Sequence, residues 1–363
     1  MSAPTADDRA LVHALLDWYA RVARPLPWRV DPTPYRVLLS EFMCQQTRVE
    51  TALPYFERFL ARWPRLEDLA AADEAEVVEA WAGLGYYRRA RNLHRCARAA
   101  VARGGLPSDA EALQALPGIG PYTAGAVASI AWGRRVPLVD GNVERVLGRM
   151  LALGHDPRRS PGRRIVWDRA RALHDANDGH PGDLNQALME LGATACAPRS
   201  PRCGDCPAAA WCRARALGRP EDHPPRAPRA APREIEAVAG LLRAGDRVLL
   251  GRRRPGGLLG GLWEPIRADL DGDEPRAALE AAFAEVGLRA APHRDLGAVL
   301  HVFTHRRLTC RVWEVRGGGE PRPGGPYDDV RFARPDEVGL SGLASRLLEA
   351  ASQPPLPLAA DAE

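Results

Sequence analysis

Four cysteines fall within 17 residues of this 363-residue chain: Cys196, Cys203, Cys206 and Cys212, spaced C-x6-C-x2-C-x5-C. Four thiolates at such short range argue for a metal centre. Zinc ribbons usually bring two short cysteine pairs, and this run has one. Four cysteines also ligate iron–sulfur clusters, so spacing leaves both metals open. Cys44, Cys96 and Cys310 are scattered and read as buried thiols. A second reactive candidate is Glu41, a lone carboxylate among Val37, Leu38, Leu39, Phe42 and Met43. Facing a pocket, such a carboxyl loses water, its pKa rises, and it can act as a general acid near neutrality. On pattern alone, a solvent-facing position on an amphipathic helix is the commoner role. A third feature is chemical by omission. All 50 basic residues are arginine, so only the terminal amine could form a Schiff base.

These residues need a scaffold. Segments 8–22, 34–62, 73–82, 86–103, 109–116, 121–132, 140–152, 161–176 and 183–195 carry apolar residues at helical spacing. Asp109 and Asp140 stand where N-caps are expected, and Pro121 suits a first helical turn. Between two of these helices lies "LPGIGPYTAG", where Gly118 and Gly120 permit a tight turn and close backbone approach. The helix that follows opens with free N–H groups, a ready phosphate site. No acidic residue occurs in 112–131, which suits a nucleic-acid backbone. Residues 1–218 carry 29 arginines against 24 carboxylates, and the remainder 21 against 22. That balance permits nucleic-acid binding without requiring it.

The organisation reads as two domains. A helical domain covers 1–217, with its cysteine-rich loop at 196–212. A proline-rich linker covers 218–234, and an α+β domain of period-two strands with a helix at 274–287 covers 235–353. Residues 354–363 read as a disordered tail. No apolar run reaches membrane-spanning length, and no secretory signal is visible. A cytoplasmic, monomeric bacterial protein working at the nucleoid is the expectation.

"LPGIGPYTAGAV" followed by "VDGNVERV" resembles the helix–hairpin–helix DNA glycosylase superfamily. "LPWR…PYRVLLSEFMCQQT" and "GLGYYRRARNLH" look like the MutY-type adenine glycosylase branch. The resemblance implies Glu41 as the acid that protonates a purine ring nitrogen and Asp140 as the carboxylate that stabilises the sugar cation. Tyr122 and Asn142 would support Asp140. Tyr122 stands where the lyase-active branch carries its lysine, which implies a glycosylase without strand-cleaving activity. The loop after the last helix is similar to the [4Fe–4S] loop of that branch, with Arg199 and Arg202 aimed at phosphate. Trp28, Arg29, Gln186 and Glu190 match positions lining the adenine pocket. Gln46, Thr47, Leu84, Tyr86, Gly118 and Gly120 match DNA- and lesion-contacting positions, with Tyr86 as an intercalating wedge.

The second domain resembles a Nudix domain. Its helix reads E-A-A-F-A-E-V-G up to Gly287, leaving Glu285 alone of the family's metal-binding glutamates. That predicts a non-hydrolytic module, since Mg²⁺ sites need several oxygen ligands. The resemblance to the MutY-type branch further implies that its lesion-reading Phe-Ser-His loop corresponds to Phe303, Thr304 and His305. Together these resemblances imply base excision of adenine from double-stranded DNA where it faces 8-oxoguanine or guanine. A nucleotide hydrolase and a non-catalytic iron–sulfur DNA-binding module are the alternatives. The depleted glutamates weigh against the first, and the presence of both Glu41 and Asp140 against the second.

Overall fold

The computed structural model describes residues 5–226 and 231–350. The expected tail at 354–363 and part of the linker lie outside the described residues. Two compact units emerge: Met1–Ala71 with Asn92–Pro228, and Ala72–Arg91 with Arg229–Glu363. Among the described residues, no helix is long and apolar enough to cross a membrane.

The first unit is helical. Its helices are α1 (Ala6–Val22), α2 (Pro27–Val30), α3 (Pro34–Cys44), α4 (Val49–Arg62) and α5 (Leu66–Ala71). The chain passes through α6 (Glu74–Ala80) and enters α7 (Arg88–Val101). Then come α8 (Ala110–Gln114), α9 (Pro121–Trp132), α10 (Gly141–Met150), α11 (Gly162–Asp175), α12 (Pro181–Thr194) and α13 (Arg213–Ala216). Local chemistry sets several starts. Thr5 and Asp8 close a reciprocal capping box on α1, which then buries Leu11, Val12, Leu15 and Tyr19. Asp109 caps α8, accepting the N–H groups of Glu111 and Ala112 at 2.9 Å each. The central helix is α9, buried from Thr123 to Ile130 and packed on α3, α8 and α12.

One predicted element is corrected. Segment 34–62 is two helices, interrupted between Cys44 and Val49. Gln46 has φ +59°, a left-handed conformation that a right-handed helix cannot contain.

The second unit is built on a mixed seven-stranded sheet ordered β2-β3-β4-β1-β6-β5, with β7 paired to β3. The strands are β1 (Arg233–Leu241), β2 (Arg243–Ala244), β3 (Arg247–Arg253), β4 (Trp263–Leu270), β5 (Leu288–Val302), β6 (Arg306–Gly319) and β7 (Tyr327–Ala333). Among the strand pairs of the described residues, only β1 and β6 run parallel. Both faces are covered, so β1 reads as a buried run after its first residues. On one face Val238, Leu249 and Ile266 meet Leu279 and Phe283 of α14 (Pro275–Glu285). On the other, Ala237, Ala239 and Leu250 meet Leu343 and Leu347 of α15 (Gly342–Glu349).

Candidate active site and cysteine loop

Helix α3 begins at its Thr33 cap with Pro34 in the first turn, and seven residues later it presents Glu41. The side chain is inside, at 7% exposure. Its Oε2 accepts a hydrogen bond from the hydroxyl of Tyr122, which also lies 3.7 Å from Met189 Sδ. Burial pushes the Glu41 carboxyl up to about 7, and the nearby charge of Asp140 pushes the same way. Tyr122 and Arg29 pull it back. The phenol of Tyr122 is held well above its usual range, by burial and then by Glu41, so it stays a donor.

Asp140 caps α10. Its Oδ1 accepts the N–H groups of Asn142 at 3.0 Å and Val143 at 2.7 Å, and its Oδ2 accepts Asn142 Nδ2 at 3.0 Å. Burial raises this carboxyl, and those three donors oppose the rise. The two residues therefore divide by partner: Asn142 hydrogen-bonds Asp140, and Tyr122 hydrogen-bonds Glu41. Substituting Tyr122 by Phe removes a donor that favours ionised Glu41. The pH at which Glu41 gives up its proton should then move upward from about 7. A pH–rate profile of the variant checks this; an unmoved alkaline limb would contradict the assignment.

The hairpin divides its glycines by purpose. Gly118 has φ +78°, and a Cβ there would meet Asn92 at 2.6 Å. Gly120 is the extended N-cap of α9 and faces open space. Ahead of it Gln46 is exposed in the break after α3, with Thr47 half-buried beside it.

Among the expected pocket residues, Trp28 is buried edge-on against Phe56, with centroids 5.0 Å apart. Gln186 and Glu190 lie one turn apart on α12, both buried. Glu190 is already committed. Arg24 Nε and Nη2 reach its two oxygens at 2.7 and 3.0 Å, and Arg29 Nη2 adds a bond of 2.8 Å. Burial alone would raise Glu190, but these arginines hold it below the usual range. Arg24 was not singled out from the sequence; nothing in "VARPLPW" marks it.

In the second unit Tyr86 is 46% exposed with φ +51°. Its hydroxyl pairs with Thr304 Oγ1 at 3.0 Å, joining the expected wedge to the expected reading loop. Phe303, Thr304 and His305 form the turn between β5 and β6, and Phe303 packs tilted against His301, with ring centroids 4.6 Å apart. Leu84, expected at the DNA, is 5% exposed: it turns inward while Tyr86 turns out. Tyr87 is buried too, and its hydroxyl accepts Gly83 N–H at 3.0 Å.

Cys196, Cys203, Cys206 and Cys212 rim one small cavity together with Arg149 and Arg202. No set of three or more His, Cys, Asp or Glu is gathered onto a single point suited to a metal ion among the described residues. Arg199 and Arg202 are exposed on this loop.

A family model for the HhH-GPD superfamily base excision DNA repair protein matches residues 39–171, and one for the NUDIX domain matches 237–350. The adenine DNA glycosylase of Rattus norvegicus is 38% identical over 373 residues, covering 87% of this chain and 72% of that protein. The chain belongs to the adenine DNA glycosylase family. The family member of Mycobacterium tuberculosis is 44% identical over 220 residues, 58% of this chain and 70% of that one. Among solved structures, a thermostable thymine-DNA glycosylase aligns with a TM-score of 0.52 at 27% identity, covering 57% of this chain and 96% of that chain. The predicted helix–hairpin–helix core and Nudix-like second domain are thus both found.

Two buried arginines of this family member went unnoticed in its sequence. Arg145 Nε donates to the Cys196 carbonyl at 2.7 Å, and its Nη2 donates to Asn142 Oδ1 at 2.9 Å. A continuous hydrogen-bonded path therefore runs from the cysteine loop through Arg145 and Asn142 to Asp140. Arg149, one turn on, donates to the carbonyls of Ala197 at 2.7 Å and Pro198 at 3.0 Å and reaches Cys196 Sγ at 3.2 Å. Their four-residue spacing on the apolar face of α10, among Val143, Val146, Leu147 and Met150, was the available signal.

Proposed function

We propose that this chain hydrolyses the N-glycosidic bond of adenine placed opposite 8-oxoguanine, or guanine, in double-stranded DNA and leaves an abasic site without cutting the strand. One observation carries the reading. Glu41 and Asp140 are two electrostatically coupled carboxyls that burial raises; Glu41, on an apolar helix, is pushed up to about 7, while three donors to Asp140 oppose its rise. That division supplies an acid and an anion to one reaction.

Adenine is a poor leaving group as an anion. Glu41 gives its proton to a ring nitrogen, so that the base departs neutral as the C1′–N bond breaks. The sugar becomes cationic at C1′, and the Asp140 carboxylate, fixed by Asn142, stabilises that charge. Water then attacks C1′, and its proton returns to a carboxylate of the pair. Helix α9 offers its N-terminal N–H groups to a phosphate beside the open space at Gly120. Tyr86, Gln46 and Thr47 hold the opened stack, and the Phe303–His305 turn reads the base opposite. Trp28, Arg29, Gln186 and Glu190 wall the adenine pocket, Glu190 through the arginines it fixes. With no lysine in the chain, no side chain offers a Schiff-base amine.

Cys196, Cys203, Cys206 and Cys212 would hold a [4Fe–4S] cluster. The donor set fits: four thiols line one small cavity, and Arg149 and Arg202 beside them offset thiolate charge. The cluster, when bound, supplies a covalent staple for the loop that carries Arg199 and Arg202.

The test is a labelled duplex containing adenine opposite 8-oxoguanine, incubated with protein and split into samples with and without hot alkali. Breaks that need alkali are expected. Breaks without alkali would overturn the absence of lyase chemistry, and intact strands in both samples would overturn the glycosylase reading.

A further inference from the structure

Asp140 is delivered by residues 134–139, a stretch with no regular secondary structure between α9 and α10. Something must fix its position, because Leu138 and Val139 are buried and their backbone groups need partners. Most of the answer comes from one side chain. Asn185, on α12 and fully buried, accepts the Leu138 N–H at 3.1 Å and donates to the Val136 carbonyl at 2.9 Å. Its amide thus grips the stretch on both sides of Pro137, as a neighbouring strand would. The remaining capacity is also used. Nδ2 donates to Ser129 Oγ on α9 at 2.8 Å, and Oδ1 lies 2.9 Å from His174 Nε2 on α11. Leu138 N–H can only donate and the Val136 carbonyl can only accept, so the amide orientation is determined. His174 must then carry its proton on Nε2.

We propose that Asn185 is a positioning residue for base release: it sets the register of residues 134–139 against α9 and thereby the place of the Asp140 carboxylate relative to Glu41. The fit is close on the far side as well. A Cβ at Gly125 of α9 would meet the Pro137 carbonyl at 2.6 Å, so the stretch cannot shift toward α9. Arg135 Nη1 fastens its beginning to the His174 carbonyl at 2.8 Å. The inference rests on the role given to Asp140 above.

The experiment uses the full chain. Single-turnover adenine release from the 8-oxoguanine duplex is compared with binding of the same duplex carrying 2′-fluoro-2′-deoxyadenosine, which resists cleavage because fluorine disfavours positive charge at C1′. Asn185→Ala should slow release by about 10–100-fold, the cost of a misplacement near 1 Å, with binding held within about threefold. Asn185→Asp places an acceptor opposite the Val136 carbonyl when ionised and regains a donor when protonated. Its deficit relative to wild type should therefore shrink as pH falls. Ser129→Ala removes only the α9 contact and should slow release by less than about fivefold.

Wild-type release by Asn185→Ala would overturn the proposal. So would release and binding falling in parallel, or a deficit in Asn185→Asp that does not change with pH. If Asn185→Ala fails to fold, the pH behaviour of Asn185→Asp decides. Failure of the underlying reading looks different: Asp140→Asn would then release adenine at the wild-type rate, whatever Asn185 does.

Discussion

Glu41→Gln is expected to stop adenine release while leaving duplex binding intact. Glutamine keeps the shape and can still accept the Tyr122 hydroxyl, so the pocket persists. What it lacks is a transferable proton. A positioned general acid contributes about 10²–10⁴-fold, and a purine anion leaves slowly enough that the upper end applies. Single-turnover release against binding of the uncleavable duplex checks this. Release within about tenfold of wild type would remove Glu41 from the acid role.

The same substitution has a thermodynamic signature. The folded carboxyl titrates at about 7 against an ordinary 4.5, so the native state binds this proton more tightly than the unfolded state. The contribution to stability is fully present below about pH 4.5 and is lost as pH rises to about 7. Above that, wild type buries a charge that glutamine does not have. Glu41→Gln should then be the more stable protein by about 2–3 kcal/mol at most, read by urea unfolding at mildly alkaline pH. Below about pH 4.5 the two should converge. A variant destabilised at alkaline pH would mean that Glu41 is held by partners rather than strained by burial.

Much of this site could be read in the chain, for identifiable reasons. Asp109, Pro121 and Asp140 stand at helix starts whose chemistry is local, so their positions followed from neighbours one turn away. Glu41 was visible as a carboxylate in apolar company. The two supporting residues could not be told apart, because which carboxyl Tyr122 meets depends on how α9 lies on α3. The break at Gln46 carries no glycine or proline, and its left-handed backbone is imposed by tertiary context. Arg145, Arg149 and Asn185 are polar residues on otherwise apolar helical faces, and Arg24 lies in the short link between α1 and α2. Periodicity reports such faces as buried without naming the carbonyl or carboxylate each one meets.

Asp140→Asn separates the two jobs this residue holds. Asparagine caps helices about as well as aspartate, so Oδ1 can keep the N–H groups of Asn142 and Val143. The second contact changes sign: an amide NH₂ would face Asn142 Nδ2, where a carboxylate oxygen now accepts it at 3.0 Å. The fold should survive and the charge should be gone. Loss of a preorganised electrostatic partner for a developing charge costs about 10²–10³-fold, and a full negative charge beside C1′ places the expectation at or above that range. Asp140→Ala loses the cap as well, at about 1 kcal/mol, and should show a lower Tm with a similar rate defect. The pH profile adds an independent reading. Release requires protonated Glu41 and ionised Asp140, so wild type should lose rate on both sides of an optimum, the limbs belonging to the coupled pair. With Asp140 replaced by Asn, the acid limb should vanish and the alkaline limb should move down, because a charge that raises Glu41 has gone. An acid limb that persists in Asp140→Asn would place the essential anion elsewhere, with Glu144, on the same helix and sensing the Asp140 charge, a carboxylate to test.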